Sequence, residues 1–115
     1  MMRLYAAAAP AGAPQLVHGD LTNNVLLLPG HPPSIIDFSP YWRPPSYAEG
    51  IIVADALCWH AASPEILEGT DVPLAAVARG LLFRILTASS IHEQDSARLL
   101  EEAQRYRAAA AALDL

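Results

Sequence analysis

Two short apolar runs, at 25–28 and 34–38, flank the breaker segment Pro29-Gly30-His31-Pro32-Pro33. Glycine and proline at that density force a turn, so the runs are expected to form an antiparallel hairpin. Such pairing sets Asn24, just before the outgoing strand, beside Asp37, near the end of the returning one. Residues 15–17 read as a short extended entry. The proline-rich stretch 39–46, with Tyr41, Trp42 and Arg43, reads as a loop whose aromatic residues pack onto the domain.

Beyond residue 46 the period changes. Tyr47, Ile51, Ala54, Leu57 and Cys58 recur at spacings of three and four, which predicts a helix over 47–62. Ser63-Pro64-Glu65 carries the cap and first-turn signature of a short helix that Gly69 can end. Val72, Ala75, Ala76, Arg79, Leu82, Phe83 and Leu86 predict a third helix over 72–89, with Gly80 allowing close packing at a cost of about 1 kcal/mol relative to Ala. Leu99, Ala103, Tyr106, Ala110 and Leu113 form one stripe of a last helix over 93–113, where Glu101 and Arg105 make an i,i+4 pair. The expected class is therefore α+β, mostly helical.

Composition narrows the partners. With 115 residues, 53% of them hydrophobic, and a formal net charge of -5, the chain is one domain with no affinity expected for a nucleic-acid backbone. No apolar run approaches the ~20 residues of a membrane span, and none is expected. The apolar portion 4–9 is too short for a secretory signal, so 1–14 reads as the end of a preceding helix closed by Pro10 and Pro14. The lone Cys58 excludes an internal disulfide, reads as a structural thiol, and fits a reducing, cytoplasmic setting.

The chemistry concentrates in Val17-His18-Gly19-Asp20-Leu21-Thr22-Asn23-Asn24-Val25 and Ile35-Ile36-Asp37-Phe38. Mg²⁺ takes one or two protein oxygens together with substrate phosphates, which makes Asn24 and Asp37 candidate ligands. Asp20 is then left to orient or deprotonate a hydroxyl. Asp55 lies inside an apolar helical run and, if buried, needs a hydrogen-bonding partner. His60 sits near a helix end, where its interaction with the dipole is the ordinary role. His31 and His92 have no partner at ligand spacing.

These two segments resemble the catalytic core of the aminoglycoside phosphotransferase and choline kinase-like family, distant relatives of the protein kinases. The resemblance covers residues 15–60. It implies that Asp20 is the catalytic base, that Asn24 and Asp37 are metal ligands, and that His18 and Gly19 shape the catalytic loop. It also implies that Asp55 braces that loop through backbone N–H groups. The Asp20 to Asn24 interval is one residue shorter than in many members, so either the loop is a shorter variant or Asn23 takes part of the role. Arg43, in the post-metal loop, is a candidate partner for a phosphate or for an acidic neighbour.

The implied cofactors are Mg²⁺ and ATP or GTP, and the implied acceptor is a small hydroxyl-bearing molecule. The chain has no lysine and no Gly-rich loop ahead of the motif, so it reads as a partial kinase-like C-lobe. Residues 1–14 would be an N-terminal segment, 15–46 the catalytic loop, hairpin and metal loop, and 47–115 a helical subdomain. A nucleotide-binding lobe is the missing partner, and without it the isolated chain is expected to be inactive. Two alternatives stay open at this point: a non-catalytic binding module that keeps the site residues, and a metal-dependent hydrolase using His18, Asp20, Asp37 and His60.

Overall fold

In the computed structural model, which describes residues 12–115, the hairpin forms where the turn residues demand it. Strand β2 (Val25–Leu26) pairs antiparallel with β3 (Ser34–Ile35), Val25 opposite Ile35. Gly30 takes a φ of 81° in the intervening turn, a backbone region open to glycine without steric cost. Both strands are shorter than expected because the prolines on one side and Asp37, with a φ of 49°, on the other interrupt the extended backbone. The remnant helix read over 1–14 lies almost wholly outside the described residues.

A second ribbon encloses the first. β1 (Gln15–His18) pairs antiparallel with β4 (Pro40–Arg43), Leu16 opposite Trp42 and Val17 opposite Tyr41. The expectation of a loop over 39–46 is corrected here. Pro40 stands at the first position of a two-stranded edge, where proline is tolerated, and Tyr41 and Trp42 favour extended backbone. Tyr41 packs as expected, its ring 5.8 Å from that of Tyr47 and 6.2 Å from that of Phe83, whereas Trp42 is exposed.

Among the described residues, three helices and one short 3₁₀ turn carry these ribbons. Helix α1 (Pro45–Trp59) begins with Pro45 in the first turn, where its missing N–H costs nothing. It buries Ile51, Ala54 and Cys58 of the expected stripe. The 3₁₀ turn Pro64–Gly69 is capped by Ser63, whose Oγ accepts from the Glu65 N–H at 3.3 Å. Helix α3 (Ser96–Ala112) starts later than predicted because the Asp95 carboxylate accepts from the Arg98 N–H at 3.1 Å and fixes the cap there. His92 is consequently at the end of the preceding helix rather than near a helix start.

That preceding helix, α2 (Leu74–Ile91), lies between the other two and buries Ala76, Val77, Ala78, Gly80, Leu81 and Ala88. Its buried face differs from the predicted stripe, and Leu86 is exposed. A helix packed on two sides has no single apolar face, so its period marks the element without choosing the orientation. By length and mean hydropathy (1.5) its 18 residues are enough to cross a membrane, which corrects the statement that no run approaches that length. Here it carries Arg79 and Arg84 and forms the centre of the helical layer. Gly80 packs directly against the backbone of Gly50, with no room for a β-carbon on either residue.

Candidate functional site

The nesting of the two ribbons brings the chemistry together. Residues 19–24 connect β1 to β2 and residues 36–39 connect β3 to β4, so the two connections run side by side between the ribbons. Three hydrogen bonds join them or their flanks. Gly19 N–H donates to Ser39 O at 2.8 Å, Ile36 N–H to Asn24 O at 3.0 Å, and His18 Nε2 to Ile36 O at 3.2 Å. A side chain at position 19 would run into the Tyr41 ring, which explains glycine in the loop.

His18 uses both ring nitrogens on backbone. Its Nδ1 accepts the Asp20 N–H at 3.0 Å, which assigns the proton to Nε2 for the bond to Ile36 O. Its ring meets Phe38 edge-on at 5.4 Å. The ring thus ties the Asp20 N–H to the Ile36 carbonyl. Neither nitrogen is left for a metal, which counts against His18 as a ligand in the hydrolase alternative, whereas His60 lines one cleft with Asp20 and Asp37.

Asp20 is held at three points. Its N–H goes to His18, its C=O accepts from Asn24 Nδ2 at 2.7 Å, and its Oδ1 accepts from Arg84 Nη2 at 2.9 Å. The side chain remains half exposed, at 51%. Its second carboxylate oxygen has no hydrogen-bond partner among the described residues, and it is therefore the atom available to accept a hydroxyl proton. Because Asn24 spends its Nδ2 on the Asp20 carbonyl, its Oδ1 is the amide atom left to ligate.

Asn23 and Asp37 both adopt left-handed backbone, with φ of 66° and 49°. Non-glycine residues there are uncommon, Asn and Asp being the ones that tolerate it best, and such positions gather at functional sites. Asp20, Asn23, Asn24 and Asp37 all line one cleft of about 550 Å³. Trp59, Glu102 and Tyr106 line the same cleft, adding an aromatic and acidic wall from α1 and α3.

Asn24 and Asp37 both line this cleft. The Asp37 carboxylate and the Asn24 amide oxygen are hard donors, and two protein ligands are what Mg²⁺ takes when phosphates supply the rest. Among the described residues no group of three His, Cys, Asp or Glu side chains forms an all-protein cation cage.

Asp55 is buried, as its costly position required, but its partner is a side chain. Arg84 grips it with Nε to Oδ1 at 2.7 Å and Nη2 to Oδ2 at 2.5 Å. The brace expected through the loop's backbone N–H groups runs through this guanidinium, which then reaches Asp20. Burial opposes the charge on Arg84, but the hydrogen bonds and charges of Asp55 and Asp20 outweigh it and hold its pKa above the ordinary arginine value. Arg43 is elsewhere. Its Nη1 donates to Trp42 O at 2.8 Å and its guanidinium lies 5.9 Å from the centre of the Tyr47 ring, and it meets neither the cleft nor an acid.

Arg84 is the residue that the sequence reading missed. Its signal was present, since Asp55 and Arg84 are opposite charges placed within apolar helical runs and each needs a partner. The acidic wall also escaped, because Glu102 follows Glu101 on what reads as a charged face. In the fold Glu102 Oε1 meets His92 Nε2 at 2.8 Å. Arg105, expected to pair with Glu101, instead donates to Cys58 O at 3.0 Å and stacks over Trp59 at 4.3 Å.

No family model matches the chain, and no curated protein or solved structure does so either.

Proposed function

We propose that this chain carries the cation- and hydroxyl-handling portion of a Mg-ATP- or Mg-GTP-dependent small-molecule phosphotransferase, as a kinase-like C-lobe of the aminoglycoside phosphotransferase and choline kinase-like kind. The observation that carries the reading is the convergence of Asp20, Asn24 and Asp37 on one cleft. In this reading Asp37 and Asn24 hold Mg²⁺, which would neutralise charge on the nucleotide phosphates. Asp20 accepts the acceptor hydroxyl's proton as that oxygen bonds to the terminal phosphorus and the bond to the departing diphosphate oxygen breaks. In this reading the reaction needs a compartment that supplies nucleoside triphosphates, as the cytoplasm does.

The surface supports a further partner in this reading. Leu26, Leu27, Leu28, Ile35, Ile36 and Phe38 are all exposed around the inner ribbon. Exposed apolar side chains gathered on one ribbon favour an interaction face, and in this reading a nucleotide-binding lobe is its partner. The chain itself contributes no lysine for the phosphates. That same observation favours a second reading, a binding module that keeps the loop geometry without catalysis.

Backbone amide NMR with Mg²⁺ and pyrophosphate tests the proposal on the chain as it is. The expected result is chemical-shift change centred on residues 20–24 and 36–38 that is lost in Asp37→Asn. Absence of change, or change centred elsewhere, overturns it. Calorimetry with Mg-ATP bears on the second reading: affinity weaker than about millimolar fits a chain without a nucleotide-binding lobe, and micromolar affinity from this chain alone counts against the non-catalytic remnant.

A further inference from the structure

Arg84 is placed where an ordinary helix-packing arginine has no reason to be. Its Nε and Nη2 form a fork on the buried Asp55, and the remaining reach of Nη2 extends into the cleft to Asp20 Oδ1. The Asp55 side chain is 4% exposed and that of Arg84 16%, so this cation is held from behind and cannot follow Asp20 outward. A divalent cation bound by Asp37 and Asn24 would otherwise draw in a third nearby carboxylate, because hard cations add oxygen ligands readily.

Resting on the phosphotransferase reading, we propose that Arg84 is a positioning residue that withholds Asp20 from the metal and reserves its free oxygen for the acceptor hydroxyl. One Asp20 oxygen is occupied by the guanidinium, and the positive charge beside it opposes approach of the metal. Asp55 acts through Arg84, as the anchor that fixes where the guanidinium ends.

Titration of the chain with Mn²⁺ alone, followed by the electron paramagnetic resonance of free Mn²⁺, tests the assignment without needing turnover. Asp55→Asn serves as the reference for Asp55→Asn/Arg84→Gln, in which a buried neutral pair replaces the ionic one. Removing the guanidinium is expected to tighten Mn²⁺ binding by about tenfold, the scale of one unit charge removed from a partly solvated site. Adding Asp20→Asn to that double variant is expected to cancel the gain, and Arg84→Lys, which keeps the charge, to remain near wild type. A purely structural Arg84 would instead give weaker binding on removal.

Unchanged or weaker Mn²⁺ affinity in the double variant, with helical circular dichroism intact, overturns the assignment. Asp20→Asn in the otherwise wild-type chain leaves the Arg84–Asp55 pair in place and keeps the test open if the double variant does not fold. A loss of no more than about tenfold, the scale of the carboxylate's charge alone, is expected, and a loss of about a hundredfold or more shows Asp20 to be a ligand and overturns the proposal. Asp37→Asn distinguishes the underlying reading: if Mn²⁺ binds equally well without that carboxylate, or does not bind wild type, the metal site fails and the assignment of Arg84 falls with it.

Discussion

At the scale of single residues, the buried charges dominate. Arg84 meets two carboxylates, so Arg84→Met leaves the Asp55 carboxyl buried and unpaired in an apolar surrounding, and a loss of about 3–5 kcal/mol is expected from urea unfolding. Asp55→Asn/Arg84→Gln should recover part of that loss, because no isolated charge remains. Cys58 and Tyr106 supply a pH dependence. Burial, then the charge of Asp55, pushes the Cys58 thiol up from 9.0 to about 11, and burial, then Glu102, pushes the Tyr106 hydroxyl up from 10.0 to about 12. Over these intervals the unfolded chain has released protons that the folded chain keeps, so stability falls as pH rises from about 9 to about 12. Urea midpoints measured across that range should decline, and Cys58→Ala should remove the earlier part of the decline while Tyr106→Phe removes the later part.

At the scale of elements, the crossing of α1 over α2 depends on two glycines. A β-carbon on Gly50 would strike the backbone of Ala76, and one on Gly80 would strike the backbone of Gly50. Backbone cannot yield as a flexible side chain does, so Gly50→Ala and Gly80→Ala are each expected to cost about 3 kcal/mol or more. Gly69→Ala, with nothing near the added carbon, is expected to change stability by less than about 0.5 kcal/mol in the same urea experiment. The helices were legible in outline because three- and four-residue spacing survives any tertiary arrangement. Their faces were less so: α2 packs on two sides, and the predicted stripe through Leu86 pointed partly to solvent. β4 was hidden by its prolines, since a strand pairing only along one edge can hold a proline that an interior strand could not.

At the scale of the whole molecule, the asymmetry of burial stands out. The helical layer buries Ile51, Val77 and Leu81 almost completely, while Leu27, 77% exposed, and its neighbours on the inner ribbon face solvent. The apolar dye ANS should therefore bind the folded chain. Leu27→Lys/Leu28→Lys should cut that fluorescence severalfold while leaving the unfolding free energy within about 0.5 kcal/mol. A loss of stability above about 1 kcal/mol would show that these leucines are covered in solution, and the interaction face would have to be abandoned.

The amino-acid order by itself determined the local pieces: a proline-glycine turn between two apolar runs, the period of three helices, and a loop with Asp20, Asn24 and Asp37 close enough in sequence for one hairpin to gather. Those are short-range consequences of backbone sterics and spacing, which need no knowledge of the rest of the chain. Only the tertiary structure decided that a second ribbon closes around the first, that Asp55 is answered by Arg84, and that this guanidinium continues to Asp20. The two ends of that link are 64 positions apart, and a charge in an apolar helix announces its need for a partner without naming it. Which partner answers depends on how α1 and α2 cross, and that is set by the close backbone contact at Gly50 and Gly80.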